Sequence, residues 1–226
     1  KVLREQLDIR VRVDNDVNVG AWGEHIGGAG RGQPDLLAVF VGTGIGAGLV
    51  LGGKIYHGHH QTAGEIGHTT LLADGAMGRR SVENLASRTG MVNLLKQLIQ
   101  SNHTSALVDL TGGDLSKIRS KVLSKAIKQN DALTTEVVNH AARYLGVAIA
   151  NAVTLLSLPC VVVGGGTTDA LGKGWVQEIQ TEFRRHVFPA ELASCRVVAG
   201  ELGDDAGILG AAMLARDHFT SGGNGD

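Results

Sequence analysis

Residues 36–41 (Leu-Leu-Ala-Val-Phe-Val) and 160–163 (Cys-Val-Val-Val) are unbroken apolar runs of strand length, each followed directly by glycine. Runs this short, bounded by turn residues, predict buried strands. After the first run, residues 42–46 (Gly-Thr-Gly-Ile-Gly) predict a tight turn into a second strand at 47–51. Gly52-Gly53 then has hairpin chemistry and leads to a third strand at 54–56. Upstream, residues 9–13 alternate apolar and charged, which predicts a short strand. A helix is predicted over 17–25, with Asp16 at the junction as its natural cap. Further helices are expected at 81–100, 115–128, 174–186 and 205–217, a strand at 196–199, and a polar loop at 101–113. Over 134–158, Val138, Ala141, Leu145, Ile149, Val153 and Leu156 recur on one helical face, and Pro159 stops the helix. Residues 221–226 predict a disordered tail.

Three antiparallel strands are thus followed by helices and by two strands joined through helical crossovers, which should be parallel. One mixed sheet with helices on both faces satisfies that order, an α/β arrangement that resembles an actin-like (ribonuclease H-like) lobe. Composition narrows the partners. Net charge is -1, so no basic footprint for nucleic acid or a membrane surface is present. The longest apolar runs are too short to span a bilayer, and residues 1–12 have no signal-peptide pattern. Cys160 and Cys195 cannot make a disulfide framework, so the cytoplasm is the expected compartment. The 33 glycines are about twice the usual share, and many follow strand-like runs where backbone must approach a ligand closely.

Three motifs carry chemistry. Asn15-Asp16 stands where an extended segment meets a helix, a place from which a carboxylate can accept a proton. Gly42-Thr43-Gly44-Ile45-Gly46 exposes backbone N–H groups suited to phosphate oxygens, with the Thr43 hydroxyl as a further donor. A strand follows it instead of a helix, and no Gly-Lys-Ser/Thr is present, which excludes a Rossmann turn and a Walker loop. Gly64-Glu65-Ile66-Gly67-His68 sets a carboxylate and an imidazole three residues apart in a glycine-rich loop, a pairing suited to sugar hydroxyls.

Residues 41–68 together resemble the signature of the ROK family of sugar kinases. Asn15-Asp16-Val17-Asn18 with Gly23-Glu24, Gly164-Gly165-Gly166, and residues 202–207 are similar to further elements of that family. The resemblance implies ATP-dependent phosphorylation of a hexose or N-acyl hexosamine, at the 6-hydroxyl, with ATP and Mg2+ as cofactors. It implies Asp16 as general base and Asn15, Glu65 and His68 as sugar ligands. It also implies that Gly42, Thr43, Gly44 and Gly46 line the phosphates and that Gly164, Gly165 and Gly166 pack on the adenosine. A homodimer is expected, since the long helices can form a dimer interface. Two departures stand out. The loop after His68 lacks the three cysteines of the family's structural zinc site, so no zinc is expected and polyphosphate is an alternative donor. The family's opening Asp-Gly-Gly-Thr loop has no counterpart upstream of Asp16. Residues 1–30 are therefore expected to end an amino-terminal lobe and 31–220 to form the carboxy-terminal lobe, with weak or no activity for this stretch alone. A sugar-responsive repressor of the same family, its helix-turn-helix lying outside this chain, is the alternative.

Overall fold

A computed structural model describes residues 2–220; the tail expected at 221–226 lies outside them. Five strands form one sheet in the order β3-β2-β1-β4-β5. β1 (Leu36–Val41) and β2 (Ile45–Leu51) pair antiparallel, and β3 (Lys54–Ile55) continues the meander. β4 (Cys160–Gly164) runs parallel to β1, and β5 (Arg196–Ala199) parallel to β4. The mixed sheet is therefore the one that the apolar runs predict.

Successive strand residues point to opposite faces, and both faces are covered, which is why the runs are continuously apolar. Leu37, Val39, Val41, Val161 and Val163 join a large core with Met91, Leu95, Leu145, Ile149, Ile179 and Phe183. These come from α4 (Arg88–Gln100), α7 (Ala132–Leu156) and α9 (Lys173–His186). The alternate residues Leu36, Ala38, Cys160 and Val162 pack on Ala21 and Trp22 of α2 (Asp16–Gly27) and Leu214 of α10 (Asp205–Thr220). α2 and α10 cross almost backbone to backbone: a Cβ on Gly210 would stand 1.8 Å from the Val19 carbonyl oxygen, and one on Gly23 2.1 Å from that of Ala206. Only glycine permits that approach.

Several expectations are corrected. Residues 9–13 form no strand; they follow a short helix, α1 (Val2–Leu7), and their apolar members Ile9 and Val13 are exposed. Alternation without a partner strand or a core to face does not make sheet. The helix expected at 81–100 is two, α3 (Val82–Ala86) and α4, because Ser81 and Ser87 each cap a helix through the side-chain oxygen. The loop at 101–113 contains α5 (Leu107–Thr111), and 115–128 divides into a 3-10 turn and α6 (Ser120–Lys128). The short α8 (Gly166–Leu171) is an addition. No helix among the described residues is long and apolar enough to cross a membrane.

Candidate active site

The amino end of α2 presents Asn15 and Asp16, both exposed. The cap is Asn15, not Asp16 as expected: it is extended, and its side-chain oxygen accepts the Val17 N–H at 3.0 Å. Asp16 is the first helical residue, and its Oδ1 receives the same N–H at 2.9 Å. The carboxylate is thereby oriented by backbone and left open to solvent.

β2 forms the wall that brings the first and third motifs together. On one side, a Cβ at Gly46 would lie 2.7 Å from Val17 Cγ1, and one at Gly48 2.8 Å from the Val17 carbonyl oxygen. At the other, Gly64 and Gly67 approach the carbonyl oxygens of Ala47 and Ile45, where a Cβ would come within 2.2 and 2.1 Å. The start of α2 and the 64–68 loop thus lean on the same few residues of one strand. Buried Ile66 anchors the 3-10 turn Ile66–His68, while Glu65 and His68 stay exposed with Oε2 and Nε2 3.8 Å apart. That exposed pair is a convergence of polar groups, not a source of stability.

A brace that sequence reasoning missed joins the residue before the first motif, Asp14, to His57 in the segment that leads into the third. The Asp14 side chain is 8% exposed and meets His57 Nε2 at 2.9 and 3.1 Å. Its Oδ1 also accepts from the Asn15 N–H and from Asn18 Nδ2. Burial alone would push the Asp14 carboxyl up; the hydrogen bonds from His57, Asn15 and Asn18 outweigh it and hold it below the usual carboxylate range. A depressed folded-state value stabilises above the unfolded pKa and is lost as pH falls through the folded one. Asp14→Asn is therefore expected to destabilise by about 1.5–3 kcal/mol at neutral pH. The gap should begin to narrow below about pH 4, the unfolded-chain value, and close only as pH falls through the lower folded-state value, where the wild-type carboxyl also becomes neutral. Melting temperatures of both proteins across that range check this, and a gap independent of pH would contradict it.

The carboxyl ends of β1, β4 and β5 converge into a glycine shelf, the position at which open α/β sheets take ligands. The parallel register sets Gly164 opposite Phe40. Gly165, at φ +90°, lies so close to Val41 that a Cβ would meet its carbonyl oxygen at 2.7 Å. The Gly200 N–H donates to the Val163 carbonyl at 3.0 Å. Gly42, Gly44, Gly46 and Thr43 sit at the β1–β2 turn, and Gly166 opens α8, with free space at Gly42 and Gly166. The turn is held from outside: Arg88 Nη2 donates to Thr43 Oγ1 at 2.5 Å, Thr89 Oγ1 to the Thr43 carbonyl at 2.7 Å, and the Ile45 N–H to Glu83 Oε2 at 2.8 Å. Sequence reasoning did not single out Arg88 or Thr89; their partners lie 45 and 46 residues away.

Glu24 ties the shelf to α2. It is 1% exposed, and its carboxylate accepts the N–H groups of Ala29, Glu201 and Leu202 at 2.9 to 3.3 Å. Among the described residues no cluster of three or more His, Cys, Asp or Glu could hold a metal ion.

A three-stranded meander extended by parallel strands, with helices on both faces and glycines at the strand ends, defines a lobe of the actin-like ATPase fold. The chain belongs to the ROK family, whose profile matches residues 1–218. It is 34% identical over 224 residues to a glucokinase of Halalkalibacterium halodurans, covering 97% of this chain and 67% of that protein. With a glucokinase of Thermotoga maritima the figures are 30% over 221 residues, 96% and 69%. A ROK family glucokinase of Streptomyces griseus, solved with glucose and AMPPNP, superposes with a TM-score of 0.85 at 32% identity, over 95% of this chain and 71% of that one. A ROK family transcriptional regulator at 24% identity shares the fold, with a TM-score of 0.82 over 95% of this chain and 54% of that one.

Proposed function

We propose that this chain carries the catalytic acid–base residue and most of the sugar and nucleotide contacts of an ATP-dependent sugar kinase acting on a hexose or N-acyl hexosamine. The observation that carries the reading is the packing of the Asn15-Asp16 helix start and the Glu65/His68 loop on the same stretch of β2, beside the glycine shelf. The glucokinases among its relatives, one solved with glucose and AMPPNP, support the choice of substrates.

In this mechanism Asn15, Glu65 and His68 hold sugar hydroxyls and leave one, the 6-hydroxyl, beside Asp16. Its oxygen attacks the γ-phosphorus of ATP while the proton passes to the Asp16 carboxylate. The bond from the γ-phosphorus to the β,γ-bridging oxygen breaks, leaving sugar phosphate and ADP. Positioning and charge stabilisation supply most of the acceleration of phosphoryl transfer. The Gly42 N–H is spent on the Gly44 carbonyl at 2.9 Å, against the expectation of a row of free donors, so the turn offers the phosphates chiefly the exposed Thr43 and the close approach that Gly44 permits. Gly164 and Gly165 lie against β1, and Gly166, with open space beside it, leaves room for the adenosine next to them. Mg2+ belongs to this reading as counter-ion of the donor's phosphates.

A coupled assay of the full-length protein with ATP over a panel of hexoses and N-acyl hexosamines tests it. ADP release dependent on one of these sugars is expected; sugar binding with no turnover would favour a regulator instead. Within an active enzyme, Glu65→Ala should raise the sugar Kd about 10- to 100-fold, since a hydroxyl then loses a charged acceptor. Titration calorimetry giving an unchanged sugar Kd would remove Glu65 from the sugar site.

A further inference from the structure

We infer that Arg88 is a phosphate-binding residue, gripping non-bridging oxygens of the donor's β- and γ-phosphates together with Thr43; this rests on the kinase reading above. Arg88 opens α4, where its backbone N–H donates to the Gly42 carbonyl at 3.0 Å and its Nη2 to Thr43 Oγ1 at 2.5 Å. The guanidinium therefore lies against the one side-chain hydroxyl of the β1–β2 turn. A hydroxyl that accepts from a cation directs its own proton elsewhere, so Thr43 Oγ1 is made a donor toward whatever the turn faces.

Arg88 is otherwise uncommitted. Among the described residues it forms no ion pair, and its only side-chain hydrogen bond is the one to Thr43. A guanidinium has five N–H donors in a planar fork that matches phosphate oxygens. Its place in the first turn of a 13-residue helix also sets a cation against the positive end of that helix, which costs stability. Glu83, the nearby acid, spends Oε2 on the Ile45 N–H. An anion at the turn would answer both the free donors and the unfavourable placement, and the group the turn suits on other grounds is a polyphosphate. During transfer, charge develops on the bridging oxygen that leaves with ADP and stays spread over the γ-phosphoryl oxygens, where a fixed guanidinium lowers the barrier.

The test compares wild type with Arg88→Ala, Arg88→Gln and Arg88→Lys in the full-length protein. The first reading is kcat/KM for ATP; the second is the Kd of AMPPNP against that of AMP. Removing the charge should lower kcat/KM for ATP about 100-fold or more. It should weaken AMPPNP at least tenfold while leaving AMP and the sugar within about twofold, and Lys should recover part of the loss. A merely structural brace for the turn would weaken AMP and AMPPNP alike, and that result overturns the proposal, as does wild-type kcat/KM in Arg88→Ala. Should Arg88→Ala fold poorly, Arg88→Gln gives the same two readings with a side chain that still reaches Thr43. A wild-type protein with no sugar-dependent turnover would defeat the kinase reading and this inference together; turnover indifferent to Arg88 would defeat the inference alone.

Discussion

Asp16→Asn should lower kcat of the full-length protein by about 10²- to 10⁴-fold, the range spanned by a positioned general base. Sugar Kd and Tm should stay close to wild type. Asparagine keeps an oxygen that can accept the Val17 N–H now received at 2.9 Å, so the helix start is preserved. Asp16 is exposed, and no packing is lost. What disappears is the ability to take a proton from the attacking hydroxyl. An interaction made only in the transition state lowers kcat and kcat/KM together. Wild-type turnover in this variant would remove Asp16 from the chemistry, whatever its affinity for sugar.

Glu24→Ala is the second large effect, and it acts on stability. Its carboxylate is the acceptor for three backbone N–H groups, at Ala29, Glu201 and Leu202, in a site where the residue is 1% exposed. Alanine leaves the buried Ala29 N–H and the partly buried N–H groups of Glu201 and Leu202 without their charged acceptor and opens a void, at a cost of about 3–5 kcal/mol. For a chain of this size that corresponds to a fall in Tm of roughly 10 °C. Gly28 and Gly200 lean on the same carboxylate, where added Cβ atoms would come within 2.1 and 2.8 Å of its oxygens. The surroundings are therefore shaped to Glu24 and cannot easily close over its absence. Glu24→Gln, which keeps one acceptor oxygen, should lose less. A calorimetric Tm for Glu24→Ala within 2 °C of wild type would show that the loop before α10 is held by other means.

The sheet was legible because its strands are apolar on both faces and end in glycine; Leu36–Val41 and Cys160–Gly164 allow little else. Glu65 and His68 were legible through their spacing and the flanking glycines, which mark where backbone must lie against β2. Ser87 was not, because a cap inside a stretch of helical periodicity changes the direction of the chain without changing its hydrophobic pattern. Residues 9–13 misled for the opposite reason: they have the period of a strand, yet Ile9 and Val13 are exposed and the segment joins no strand of the sheet. The supporting contacts of the site were hidden by distance along the chain. Asp14 meets His57 across 43 residues, Arg88 meets Thr43 across 45, and Glu24 meets Leu202 across 178. Each is a polar contact between groups that nothing along the chain links until the fold brings them together.

A crystal structure of the full-length protein with a phosphorylatable sugar and AMPPNP tests the central claim most directly. The predicted result has the Asp16 carboxylate within hydrogen-bond reach, about 2.6–3.2 Å, of one sugar hydroxyl that faces the γ-phosphate. Glu65 and His68 should hold other hydroxyls of the same ring, with the phosphates over the Gly42–Gly46 turn. A sugar seated away from β2, or held by Glu65 and His68 with Asp16 out of its reach, would contradict the account.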